Sequence, residues 1–414
     1  MTGLRRPLQT GLLVAFLFAF LYNVSFLVAP ALTTGRLALL ALLGLYPGAL
    51  REAWGLTMAT GRVLVSCLAL LILYSGAQFV LESGGDSTQL SRLLNFAFYV
   101  LLGVPLFAAA SGYDLRRFLR GTALAAGVQS AFIALSFVSP GYRAMLAGLV
   151  VQGGNIPLTY ALQVPGFSNS AGALLSLTQG IGVFAALLLA RLEPERAAHS
   201  RWLLLAVVCA LSTIVVGRTG LQLSVVLFAT YIVLGGPALL GRALLLPAGL
   251  AALLVAVGPA LVELASQRNP EASRTIGWAF EFFTAGTRGT FFREFAEQGV
   301  PPLSLESVIG TGRVMAPDGV ANASGSDSGY VQTYYALGLP AAVVFYAAFF
   351  ACVLAAFARV RVEKVALGLL VLLTLVLEVK EPFIFKYVLP FFLLLLLALA
   401  GRSGDHDLVP AAGP

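Results

Sequence analysis

Apolar stretches of about twenty residues recur along the whole chain, with polar residues gathered in the gaps between them. Each stretch is long enough to cross about 30 Å of hydrocarbon. In hydrocarbon every backbone N–H and C=O must be paired internally, so continuous apolar runs of this length predict helices. The runs predict spans near 11–29, 35–51, 61–81, 91–110, 118–138, 170–190, 202–216, 220–238, 243–263, 331–357, 365–379 and 386–400. This is the pattern of an all-α polytopic membrane protein with about twelve transmembrane helices. The first run follows Arg5 and Arg6, as in a signal peptide. It is long, however, Ala29-Pro30 is a poor cleavage context, and many spans stand behind it, so it reads as the first span.

The gaps are unequal. Most are short, but 139–169 and 264–330 are long. The expected organisation is therefore nine helices over 1–263, a large loop over 264–330, three helices over 331–400 and a polar tail over 401–414. The large loop carries Arg268, Arg274, Arg288, Arg293 and Arg313 together with several acids. Within it, 276–283 and 291–295 mix aromatic and charged residues, as short amphipathic helices at a membrane interface do. A loop of this length in a compact protein is usually functional.

Charge then sets the orientation. Only 11% of the 414 residues are charged, and 59% are hydrophobic. Soluble domains carry about 25% charged residues, so a soluble fold is excluded. With the N-terminus inside, the cytoplasmic segments take most of the Lys and Arg, including Arg5, Arg6, Arg116, Arg117, Arg120 and Arg196. The short external loops take few: Arg36, Arg92, Arg143, Arg218, Lys380 and Lys386. Both termini are thus expected in the cytoplasm and the large loop outside. The net charge of +7 follows from these flanking residues and does not point to nucleic acid. Cys67, Cys209 and Cys352 lie inside apolar runs, so no disulfide framework is expected. Asp405-His406-Asp407 sits in the tail and reads as solvated; no metal site and no cofactor are expected.

Several residues carry candidate chemistry. Arg218 stands in the turn Gly217-Arg218-Thr219-Gly220 at the head of a span, where free N–H groups and the helix dipole favour an anion. Arg274, Arg288 and Arg293 are interleaved with aromatics, a mixture suited to phosphate and to sugar or lipid headgroups. Ile309-Gly310-Thr311-Gly312-Arg313 precedes a polar stretch that ends in Ser326-Asp327-Ser328-Gly329-Tyr330. There Asp327 can serve as a general base or, like Ser326, as a helix cap. Tyr330 and Tyr334 are four apart and share a helix face. Glu378, Lys380, Glu381 and Lys386 cluster at the mouth of the last two spans, where they either pair internally or meet a ligand. No external Asp-x-Asp pair, P-loop or Gly-x-Ser-x-Gly motif is present.

The order and spacing of four features resemble the O-antigen polymerase and O-antigen ligase superfamily of bacterial envelope glycosyltransferases. These are the Gly217-Arg218-Thr219-Gly220 turn, Ser273-Arg274-Thr275-Ile276-Gly277-Trp278, the Ile309-Gly310-Thr311-Gly312 to Leu337-Gly338 stretch, and the Lys380-Glu381-Pro382-Phe383 turn. The resemblance covers about 200–390 and implies a GT-C-like, metal-independent glycosyltransferase of the bacterial inner membrane. Its implied partners are an undecaprenyl-diphosphate-linked oligosaccharide at the periplasmic face and membrane lipids, with room for a chain-length regulator. Ligases of this kind carry a histidine where the loop enters the next span. This chain has Ser326-Asp327-Ser328-Gly329 there, which favours a polymerase. Arg288 and Gly299 also stand at the Arg-to-Gly spacing of some polymerases.

The roles expected on this reading follow from charge. Arg218, with Arg274 or Arg288, stabilises the leaving diphosphate. Asp327 or a loop glutamate takes the acceptor proton. Tyr330 and Tyr334 hold sugar, and Arg293, Arg313, Lys380 and Lys386 contribute to binding. The alternatives are a ligase acting on a lipid A-core acceptor and a polysaccharide flippase. Transporters usually place repeats, broken helices and charges at the midplane, whereas here the polar residues concentrate in an external loop.

Overall fold

The computed structural model describes residues 5–50, 58–81, 86–151, 164–168, 170, 172–193, 195–235, 304–316 and 321–406. The secondary structure of the described residues is helical, with only isolated bridges in place of strands. The helices are α1 (Arg5–Tyr22), α2 (Thr34–Leu45), α3 (Met58–Leu81), α4 (Thr88–Ala110), α5 (Leu115–Val138), α6 (Pro140–Ala147) and α7 (Ala173–Leu192). They continue as α8 (Arg196–Val216), α9 (Arg218–Gly235), α10 (Leu305–Ile309), α11 (Gly329–Leu337), α12 (Leu339–Ala358), α13 (Lys364–Lys380) and α14 (Val388–His406). Among the described residues seven are long and apolar enough to cross a membrane: α3, α4, α5, α7, α8, α9 and α12. The chain is an α-helical membrane protein. The other expected spans before 243 and after 330 are also helical but are not among these seven, and the one at 243–263 lies outside the described residues.

Three expected spans depart from a continuous helix, and of these 35–51 is helical from Thr34 to Leu45 before a turn. The run 11–29 stops being helical at Tyr22. Asn23 takes a left-handed conformation (φ 43°), which its short polar side chain tolerates. The Thr34 hydroxyl donates to the Ala19 carbonyl (2.8 Å) and accepts from the Val24 N–H (2.8 Å), so the chain turns back on the helix end. The expected span 331–357 is two helices, α11 and α12, broken at Gly338 (φ 88°).

The contacts divide the chain into two compact units. One contains Met1–Leu40 and Arg116–Gly289, the other Ala41–Leu115 and Thr290–Pro414. In the first, α7 is buried almost throughout and packs on α8 and α9. Small residues make this possible. A methyl at Gly182 would overlap the Ala126 side chain of α5, and one at Gly220 would overlap the Ser176 carbonyl of α7. Ser176 Oγ accepts the Gly220 N–H (3.0 Å), tying α9 to α7.

In the second unit α4 changes to a π-helical turn over Ala97–Leu102. Pro105 follows within the same helix. Proline supplies no N–H and crowds the preceding turn, and the widened turn stands where that defect is absorbed. Phe96 on α4 meets Phe345 and Phe349 of α12 edge to face, and Tyr99 stacks on Tyr387 with centroids 4.1 Å apart. These contacts fix α4 to the helices that carry the polar site.

Candidate functional site

The site is built on a backbone frame formed by 304–316 and 321–338. Ser304 caps α10, accepting from the Ser307 N–H (3.2 Å), while Ser307 Oγ accepts from the Ser304 N–H (2.7 Å). At Gly310 the chain turns with φ 92°, and a side chain there would overlap the Leu337 backbone. Gly338 is the reciprocal case: a side chain would overlap the Val308 and Ile309 carbonyls. The two glycines therefore let α10 and the α11–α12 break touch backbone to backbone. The N–H groups of Thr311 and Gly312 then donate to the Tyr335 and Ala336 carbonyls (both 2.9 Å). A broken helix leaves its last carbonyls without partners, and here the Gly310-Thr311-Gly312 segment supplies them. That motif is a backbone lock. From α3, Tyr74 donates to the Ile309 carbonyl and Gln78 Nε2 donates to it as well (3.2 Å).

Beyond the lock, 314–316 pairs antiparallel with 321–323. The Ala323 N–H donates to the Val314 carbonyl and the Ala316 N–H to the Ala321 carbonyl (both 2.9 Å). Asp86 pins this strip to the head of α4. Its Oδ2 accepts the N–H groups of Val314 and Met315 (both 2.8 Å), and its Oδ1 accepts the Thr88 N–H (2.9 Å) and hydroxyl. Burial pushes the Asp86 carboxyl upward, but these hydrogen bonds outweigh it and hold it below the usual aspartate value. Arg313 and Asp327 are both exposed on this frame. Asp327 Oδ1 accepts from Asn322 Nδ2 at 2.7 Å. Neither Asp327 nor Ser326 caps α11 with its side chain: Ser328 holds the cap position, and Ser326 Oγ accepts its N–H (3.2 Å).

A buried polar lattice lies behind the frame. Arg92, on the second turn of α4, donates from Nη2 to Gln332 Oε1 (3.0 Å). Gln332 Nε2 in turn donates to the carbonyls of Ser326 (3.2 Å) and Asp327 (3.0 Å). Glu378 of α13 is fully buried. Its Oε1 accepts from the Tyr346 hydroxyl (2.7 Å) and its Oε2 from the Ile384 N–H (2.8 Å). It also interacts electrostatically with Arg92 and Lys386. Gly329, at the start of α11, leaves room for this carboxyl; a methyl there would overlap Glu378 Oε1.

The other expected residues fall in different settings. Tyr334 is buried, and Tyr330 is half-buried against the Tyr346 ring (4.8 Å), its hydroxyl donating to the Leu375 carbonyl (3.2 Å). Both pack against neighbouring helices. Lys386 pairs with Glu381 and lies 5.0 Å from the Phe383 ring centroid, so internal pairing accounts for much of that charge cluster. Lys380 is half-buried at the end of α13. Arg218 is the first residue of α9 and belongs to the other unit, half-buried beside the Gly220–Ser176 contact. Arg274, Arg288, Arg293 and the segments 276–283 and 291–295 lie outside the described residues.

Sequence reasoning assigned no role to Asp86, Gln89 or Gln332, and it read Arg92 as a residue of a short external loop. The usable signal was Gln89 and Arg92, three apart at the head of an otherwise apolar helix, where polar side chains need partners. The fold and the site define a polytopic α-helical membrane protein with a hydrogen-bonded polar frame set on its helices. No protein-family model matches the chain, and no curated protein matches it.

Proposed function

We propose that the chain is a metal-independent polymerase acting on polyisoprenyl-diphosphate-linked glycans. It transfers a growing glycan from its lipid diphosphate to the terminal sugar of an incoming lipid-linked repeat unit at the external face. The observation that carries this reading is the frame. It holds an exposed carboxylate, Asp327, and an exposed guanidinium, Arg313, on backbone fixed to helices of a membrane protein. Asp327 takes the proton from the acceptor hydroxyl. Arg218, at the positive end of α9, and the loop arginines Arg274 and Arg288 stabilise the departing diphosphate. Arg293 and Arg313 contribute further charge for phosphate, as do Lys380 and Lys386 near the mouth. The bond broken is the anomeric carbon to phosphate-oxygen bond, and the bond formed joins that carbon to the acceptor oxygen. The proton passes to Asp327 and the lipid diphosphate leaves.

The test is reconstitution of the purified protein with a lipid-diphosphate-linked repeat unit, read as a glycan ladder. Wild type should give the ladder. Arg218→Ala should lose it by about 100-fold or more, the usual cost of removing one charge-stabilising donor. A folded wild type with its cognate substrate and no ladder would overturn the polymerase reading and leave the ligase and the flippase.

A further inference from the structure

Gln89 is fully buried, and among the described residues neither its Nε2 nor its Oε1 has a hydrogen-bond partner. One turn on, along the same face of α4, Arg92 spends Nη2 on Gln332 while its solvent-shielded Nη1 has no partner among the described residues. A buried amide or guanidinium N–H without a partner is costly, so two such side chains side by side call for a third party. Gln179 on α7 is also buried with both amide atoms unpartnered, but no charged residue stands one turn from it on its helix.

The chemistry of the Gln89–Arg92 pair restricts what fits. Gln89 presents two donors and one acceptor, and Arg92 Nη1 presents donors only. An anion would satisfy the donors but face the Gln89 carbonyl oxygen. A cation would be repelled by Arg92. A hydroxyl group, which donates once and accepts twice, complements all three atoms. Glu378 and Arg92 act on each other electrostatically, so the surroundings do not demand a charged ligand.

We infer that Gln89 and Arg92 line an internal site for a neutral hydroxyl-bearing ligand behind the Asp327 frame. The hydroxyl comes from ordered water or from a sugar of the substrate. Only the sugar source rests on the polymerase reading. In either case the ligand completes the Arg92–Gln332 link that holds the Ser326 and Asp327 carbonyls.

The experiment uses the full chain in lipid nanodiscs. A density map that resolves ordered water is obtained with and without the lipid-linked repeat unit, and Gln89→Met is compared with wild type in melting temperature and kinetics. A peak within hydrogen-bonding distance of the Gln89 amide and Arg92 Nη1 in the substrate-free protein is expected for water. Gln89→Met then melts several degrees lower with KM unchanged. For a sugar hydroxyl the peak comes only with substrate, and Gln89→Met raises KM about tenfold with kcat near wild type. No peak in either map, together with a Gln89→Met protein that melts at or above the wild-type temperature, overturns the inference. If the protein does not turn over the glycan, the maps and the melting comparison still decide the water arm, and the sugar arm falls with the polymerase reading.

Discussion

The two units hold their helices together by different means. Along the buried length of α7 the close contacts are uncharged: glycine against backbone at Gly220 and against Ala126 at Gly182, with a serine hydroxyl as the tie. Around α4, α11, α12 and α13 the ties are side-chain polar groups: Asp86, Arg92, Gln332, Tyr346 and Glu378, each bonded to backbone or to one another. The first arrangement resists displacement because no atom has room to move. The second resists it because each buried polar group would lose a partner if the frame shifted. A shape lock tolerates no added volume, and a hydrogen-bond lock tolerates no lost acceptor.

Removing an acceptor gives the largest expected effect. Glu378→Met keeps bulk but strands the Ile384 N–H and leaves the Tyr346 hydroxyl only its contact with Thr333 Oγ1 (3.0 Å). Each buried group left unpaired costs about 1–3 kcal/mol. Thermal unfolding of the purified protein should show the loss, and Glu378→Gln, which keeps one acceptor, should show about half of it. Equal melting of Glu378→Met and wild type would mean that the lattice does not hold the frame. Adding volume comes next. Gly220→Ala places a methyl on the Ser176 carbonyl, and overpacking of this kind costs about 1–3 kcal/mol. Ser176→Ala, which removes the tie and leaves the shape, should cost less, about 1 kcal/mol. If Ser176→Ala proved the worse of the two, hydrogen bonding would dominate in both units and the contrast would fail.

The same contrast explains what could be read from the sequence. Runs of apolar residues are legible because hydrocarbon dictates their length, so helices stand at each expected span within the described residues. The break at Gly338 was passed over because 331–357 is apolar on both sides of it, although Gly338 and Pro340, in the first turn of α12, mark a helix end and a new start. What no local pattern reports is the backbone contact with Gly310 that fills the break. Gly217-Arg218-Thr219-Gly220 was legible as a helix start, but the reason for Gly220 lies 44 residues away at Ser176. The polar lattice was harder still. Glu378 drew notice as an acid at the edge of a span, whereas Arg92 passed as one of several external arginines. Its partner is 240 residues away, and the pairing exists only in the fold. Asp86 looked like any acid in a short turn, yet it is the acceptor that ties 314–315 to α4.

Asp86 gives the smallest effect and the one with a pH signature. Its carboxyl lies below the usual aspartate value in the folded chain. A depressed carboxyl contributes stability that is fully present above its unfolded value and is lost as pH falls through its folded one. The window is therefore below about pH 4. Because the group is partly exposed, the contribution is about 1 kcal/mol or less. Hydrogen exchange at the Val314 and Met315 amides should report it. Protection at those amides should fall on acidification of wild type, and Asp86→Asn should already show the lower protection at neutral pH and lose the acid limb. Exchange at Gly220, whose N–H is held by an uncharged hydroxyl, should keep its protection over the same window. Parallel loss at both places would mean that acid loosens the whole protein, and that the hydrogen-bonded frame is no more sensitive to protonation than the glycine contact.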